Sequence, residues 1–163
     1  MSKIKQNPFI YITNDDGPDS KGLKKLIKIK SNEQLNQFSI MYFNKIRKSD
    51  DAEEKFSSTH EMLDHRLTDY GITTTFVDTA DLDAVSDAIQ DNTKVLYFES
   101  IANPSMKVPN FDRLVEIGHE NNLVVVCDNT FASPYVVRPL EWGVDIVIES
   151  ATKFIGGHND ALG

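Results

Sequence analysis

The sequence predicts an α/β protein, an open and mostly parallel sheet with helices on both faces. Three observations carry this. From Ser57 onward, strand-like runs alternate regularly with segments of helical period, the order that builds parallel strands through helical crossovers. Two of those runs, Leu123–Cys127 (LVVVC) and Val144–Ile148 (VDIVI), are almost continuously apolar, as strands covered on both faces are. Hydrophobic residues make up 40% of the 163 residues and charged ones 26%, enough apolar material for one sizeable core.

Each element has a local reason. Phe9–Thr13 (FIYIT) is a short β-prone run, followed by the turn-rich stretch Asn14-Asp15-Asp16-Gly17-Pro18. Asp19 or Ser20 can cap a helix over Gly22–Ile29, with Leu23, Leu26 and Ile27 facing inward. Leu35, Phe38, Met41, Tyr42 and Ile46 recur at helical spacing, which predicts a second helix, and the charged Ser49–Lys55 is expected to be exposed. Ser58 or Thr59 can cap a helix through about Tyr70, with Met62, Leu63 and Leu67 on one face and Gly71 as its stop. Ile72–Val77 then reads as a strand, and Asp81–Ile89 as a short helix whose acidic start favours its dipole. Lys94–Phe98 is a strand, Asn110–Asn121 an amphipathic helix through Phe111, Leu114, Val115 and Ile117, and the two apolar strands follow.

Composition narrows the function classes. A net charge of −8 argues against binding a phosphate backbone as the main task, so no nucleic-acid partner is expected. The longest aliphatic run falls far short of a membrane span, and the first residues do not lead into a secretion signal, so a cytoplasmic protein with no membrane partner is expected. One cysteine, Cys127, excludes an internal disulfide and a cysteine-based zinc site. The charge is uneven: residues 1–55 hold 11 Lys/Arg against 8 Asp/Glu, a net of +3, whereas residues 56–163 hold 6 against 17, a net of −11. A sign change near Lys55 marks two modules or two sequences of different origin.

Ligands of open α/β sheets bind outside the carboxyl ends of the strands. That rule nominates Asn14–Asp16, Glu99–Asn103, Asp128–Thr130 and Ser150–Lys153. Asp128 directly follows an apolar strand, so its carboxylate emerges at a strand tip. Lys153 follows a similar strand and precedes Gly156-Gly157-His158. An amine there can condense with an aldehyde cofactor while the carboxylate keeps a ring nitrogen protonated, and the hydroxyls of Ser150 and Thr152 suit a phosphate. The alternative is a plain ion pair, or separate solvated charges.

The particular residues extend this. Val126–Tyr135 (VCDNTFASPY), Arg138–Val147 (RPLEWGVDIV) and Ser150–His158 (SATKFIGGH) strongly resemble the Cys/Met-metabolism family of pyridoxal-phosphate enzymes, and Phe76–Thr79, Lys94–Glu99 and Ala102–Val108 match it in the same order. The resemblance covers about residues 56–163. It implies pyridoxal phosphate held covalently on Lys153, which also moves protons, with Asp128 at the pyridinium nitrogen, Ser150 and Thr152 on the phosphate, and Asn103 on the ring hydroxyl. Glu99 is the remaining rim residue best placed to orient these groups. The family's ring-stacking tyrosine aligns with Phe56, which can stack but lacks the hydroxyl, or is ordinary core. The implied activity is elimination or replacement at the γ-carbon of cystathionine, methionine or homoserine derivatives, with a small sulfur amino acid as substrate and a homo-oligomer as the working form. The family's upstream glycine-rich phosphate segment and everything downstream of Gly163 have no counterpart, so a truncated chain, inactive alone, is expected.

Residues 8–30 resemble another family. Phe9–Gly17 (FIYITNDDG) followed by Lys21–Leu26 resembles the opening of the SurE nucleotide phosphatases, whose paired aspartates, here Asp15 and Asp16, bind a divalent metal that activates water. An Asx-rich turn is the plainer reading, and the later ligands of that family are not found. The expected organisation is therefore residues 1–30 as a SurE-like βα opening, 31–55 as a helical linker, and 56–163 as a partial pyridoxal-phosphate domain. Two competing functions stand beside the main one: a metal-dependent nucleotidase centred on Asp15 and Asp16, and an inactive α/β remnant.

Overall fold

A computed structural model describes residues 9–13, 38–43, 59, 62–103, 105–158, 160 and 162–163. Their strands form one sheet: β1 (Phe9–Thr13), β2 (Phe38–Phe43), β3 (Ile72–Phe76), β4 (Thr93–Glu99), β5 (Val124–Asp128) and β6 (Ile146–Ser150). The spatial order is β1-β6-β5-β4-β2-β3, and every adjacent pair is parallel. All carboxyl ends therefore lie along one edge, the place where open α/β sheets bind ligands.

Period-two alternation in the central strands feeds two cores. Leu96, Phe98, Val125, Cys127 and Val147 face one side, where they meet Val85 of helix α1 (Leu82–Asp87) and Phe111, Leu114 and Ile117 of helix α2 (Phe111–Glu120). Tyr97, Val126 and Ile148 face the other, against Leu63, Leu67 and Ile72. Each fully buried Leu, Val or Phe contributes about 1.5–3 kcal/mol to folding, so burial on both sides is what the near-continuous apolar runs of β5 and β6 supply.

The two helices start as their sequences predict. Asp81 accepts a hydrogen bond from the Ala84 amide at 3.0 Å, and Asn110 accepts one from the Arg113 amide at 3.2 Å. Inside α2, Gly118 allows a close approach to the sheet: a Cβ there would lie 2.4 Å from Val125 Cγ2.

Two expected helices are corrected. In residues 31–55, Phe38–Phe43 form a strand lying between β3 and β4. A six-residue apolar and aromatic run satisfies helical spacing and strand character equally, and two open neighbouring strands decide in favour of the sheet. The helix expected through Tyr70 is instead a turn of π-helix at Met62–Arg66 followed by a 3-10 turn at Thr68–Tyr70. The Leu67 amide reaches back to the Met62 carbonyl at 3.0 Å, and the Thr74 hydroxyl of β3 donates to the Leu63 carbonyl at 2.8 Å. Tertiary capture of that carbonyl opens the turn. Gly71, at φ +73°, closes the segment as its C-cap. The short helix α3 (Ser133–Val136), the 3-10 turn Pro139–Trp142 and the kinked turn Ala151–Ile155 carry no periodic signal and were not foreseen. The helix expected over Gly22–Ile29 lies outside the described residues.

Candidate cofactor site at the sheet edge

The edge is built outward from β5. Asp128, its last residue, is half-buried, and its carboxylate is aimed by two donors, the Tyr97 hydroxyl at 3.1 Å and the Thr130 amide at 2.9 Å. Tyr97 stands on the same sheet face as Asp128, two positions back along β4, since Tyr97 is in register with Val126 and Glu99 with Asp128. Both donors favour the charged carboxylate over the neutral acid.

Next to it, β5 and β6 are stitched together beyond the last ladder bond. The Asn129 amide donates to the Ile148 carbonyl at 2.8 Å, and the Thr130 hydroxyl accepts from the Ser150 amide at 2.8 Å. Asp128 and Ser150, far apart in sequence, are thereby fixed to each other through Thr130. Past Ser150 the chain turns sharply. Lys153 has φ −86° and ψ −118°, outside the helical region, and it is exposed.

Three donors in this turn converge on one oxygen of the terminal Gly163: the Thr152 amide at 3.1 Å, the Thr152 hydroxyl at 3.4 Å and the Ser150 hydroxyl at 3.4 Å. A backbone N–H and two hydroxyls directed at one acceptor are the donor set that a phosphate oxygen uses. The residues present therefore fit a phosphorylated cofactor carrying an aldehyde: a carboxylate aimed by two donors, an anion-type donor cluster, and an amine at the kink.

Asn103 stands exposed on the loop after β4. Its amide donates to Glu99 Oε2 at 3.0 Å. The loop closes on itself through the Ala102 amide and the Lys107 carbonyl at 2.9 Å, and Lys107 pairs with Asp78 beyond β3 at 3.0 Å. At its base, the Ser100 amide donates to the Asp128 carbonyl at 2.8 Å. The structure thus joins Asp128, Ser150 and Thr152 by direct hydrogen bonds through Thr130 and Gly163, and puts Asn103 and Lys153 on loops that leave the same edge. Phe56, Asp15 and Asp16 lie outside the described residues, although β1 ends at Thr13 in register with Ser150. Among the described residues, no group of three or more His, Cys, Asp or Glu is arranged for a metal, and no helix is long and apolar enough to cross a membrane.

Sequence reasoning nominated Asp128–Thr130 without giving Asn129 or Thr130 a role, and it missed Tyr97 and Glu149. Of these, Glu149 left a legible signal, a lone charge closing the apolar run Ile146–Ile148. It is buried, 1% exposed, and its Oε1 accepts from Asn129 Nδ2 at 2.8 Å. Burial raises its pKa and the Asp128 charge adds to the rise, while the Asn129 hydrogen bond opposes it. Burial likewise pushes the Cys127 thiol well up, helped by the carboxylates of Asp128, Glu149 and Glu99, so Cys127 is an inert core residue.

Residues 50–163 match the family of Cys/Met-metabolism PLP-dependent enzymes. The chain belongs to that family. It is 45% identical over 108 residues to an L-methionine γ-lyase of Fusobacterium nucleatum, a match covering 66% of this chain and 27% of that enzyme. Its fold is similar to a cystathionine γ-lyase from Lactobacillus plantarum solved with L-serine, at TM-score 0.73 and 32% identity over 93% of this chain and 36% of the other. It is also similar to an O-acetylhomoserine (thiol)-lyase from Campylobacter jejuni solved with a pyridoxyl-lysine, at TM-score 0.68 and 31% identity over 76% of this chain and 28% of the other. The chain spans about a quarter of the length of the curated relatives it matches. None of these comparisons supports the SurE resemblance of residues 8–30.

Proposed function

We propose that this chain holds pyridoxal phosphate on Lys153 and carries the cofactor half of a site that eliminates or replaces the γ-substituent of a small sulfur amino acid. The observation that supports this best is the Thr130 stitch, which fixes a doubly hydrogen-bonded Asp128 beside the hydroxyls of Ser150 and Thr152. When bound, the cofactor supplies an electron sink for the negative charge that develops on the substrate carbon.

The residues divide the work. Asp128 keeps a proton on the ring nitrogen because its charge, aimed by Tyr97 and Thr130, favours the cationic ring. Ser150 and Thr152 direct hydroxyls and an amide at the phosphate. Asn103 hydrogen-bonds the ring hydroxyl from the β4 side, with Glu99 setting its loop. Lys153, at the kink, would provide the covalent attachment and a proton carrier, and Phe56 the stacking surface. A homo-oligomer in the cytoplasm is the working form in this reading.

Titrating pyridoxal phosphate into the full chain and recording visible absorbance tests the reading. A saturable band is expected, weakened when pyridoxal without its phosphate is used and absent in Lys153→Ala. A band of equal strength in Lys153→Ala would contradict it.

A further inference from the structure

The edge has a second polar row, on the sheet face opposite Asp128. One residue beyond the register Glu99–Asp128–Ile148 come Ser100, Asn129 and Glu149, all essentially inaccessible to solvent. Asn129 is the knot of this row. Its amide bonds the Ile148 carbonyl, its carbonyl accepts from the Ser133 amide at 2.8 Å, and its Nδ2 donates both to the Val137 carbonyl at 2.9 Å and to Glu149 Oε1 at 2.8 Å. The Val137 carbonyl can only accept, which fixes which way the side-chain amide points. Asn129 also lies between Asp128 and Thr130, the two residues on which the edge depends.

We propose that Glu149 is a positioning residue for the cofactor site: as the buried acceptor for Asn129 it locks the Asp128–Thr130 turn, and through Thr130 the Ser150 amide. A purely structural interior would not choose a carboxylate here. Glu149 Oε2, Asn129 Oδ1 and Ser100 Oγ have no hydrogen-bond partner among the described residues, and an apolar residue of similar volume would avoid that cost. What the carboxylate adds is an acceptor at the one spot where Asn129 needs it. The negatively charged and titratable groups around it are Asp128 and, one strand position back, Cys127. This inference rests on the proposed function only for what the turn is held to do.

Two readouts on the full chain test it. In the unloaded protein, hydrogen exchange of the Thr130 and Ser150 amides is expected to accelerate about tenfold in Glu149→Leu, the size of effect that losing a hydrogen bond to a buried group produces. In Glu149→Gln, which keeps the acceptor, it should stay at the wild-type rate. In the loaded protein, affinity for pyridoxal phosphate should fall by a similar factor in the leucine variant and be kept by the glutamine variant, while melting shows both folded. Should the leucine variant not fold, Glu149→Asp, which withdraws the acceptor by one methylene and keeps the charge, gives the same readouts. Unchanged exchange in the leucine or aspartate variant, or equal damage from glutamine, overturns the proposal. If wild type captures no cofactor, the functional reading falls, and the exchange data still decide the positioning role.

Discussion

The two faces of the sheet carry polar rows of opposite character at the same carboxyl edge. On one face, Tyr97 and Asp128 form a pair that reaches the rim, with a carboxylate supplied with two donors. On the other, Ser100, Asn129 and Glu149 are sealed from water, and each leaves an oxygen without a partner among the described residues. One row is supplied with donors and reaches solvent at the half-buried Asp128; the other is hidden and only partly satisfied. Two consecutive residues, Asp128 and Asn129, point to opposite faces and so link the two. In the proposed reading the first row is arranged for chemistry, while the hidden row bears an energetic cost in order to hold it in place.

Breaking the link should have the largest effect. Asn129→Ala removes the donor to both Val137 and Glu149 and leaves one part-buried and one buried acceptor without it. We expect a loss of about 2–4 kcal/mol in urea unfolding, with cofactor capture lost alongside. Asp128→Ala should separate the rows: because Asp128 sits at the rim, melting should stay close to wild type, while affinity for pyridoxal phosphate drops at least about tenfold, as expected for loss of a charge-assisted partner. An equal loss of stability from both substitutions would erase the contrast between the faces.

The finest test is the pH dependence of Glu149→Gln. The folded pKa of Glu149 is raised above the ordinary 4.5, chiefly by burial. The folded state therefore binds its proton more tightly than the unfolded chain does, so this contribution is complete below the ordinary value and is lost as pH rises through the folded one. Glutamine removes that loss. The variant should melt level with wild type at acid pH and increasingly above it as pH rises through the folded value. A wild type that gained relative to the variant with rising pH would mean that Glu149 is held ionised.

Much of the fold was legible because its signals are local. Asp81 and Asn110 cap helices that start where helices were expected, and β5 and β6 lie where the apolar runs lie. The misreadings share a cause. Phe38–Phe43 has the composition of a short buried strand and the spacing of a helix, and only the gap between β3 and β4 decides between them. The turn at Met62–Arg66 is widened by Thr74, a hydroxyl from another element. At the site, Asp128, Ser150, Thr152 and Lys153 were legible because each follows a strand end. Tyr97 was not, and Glu149 left only its lone charge at the end of an apolar run, since their contacts and those of Asn129 and Thr130 come from strand register and cross-strand bonds, which no single segment records.

The most direct test of the central claim is covalent. The full chain would be mixed with pyridoxal phosphate, reduced with borohydride, digested and mapped by mass spectrometry. A single pyridoxyl label on Lys153 is the predicted result. Label spread over the Lys-rich first 55 residues, with Lys153 unmodified, would contradict the assignment of this sheet edge as a cofactor site.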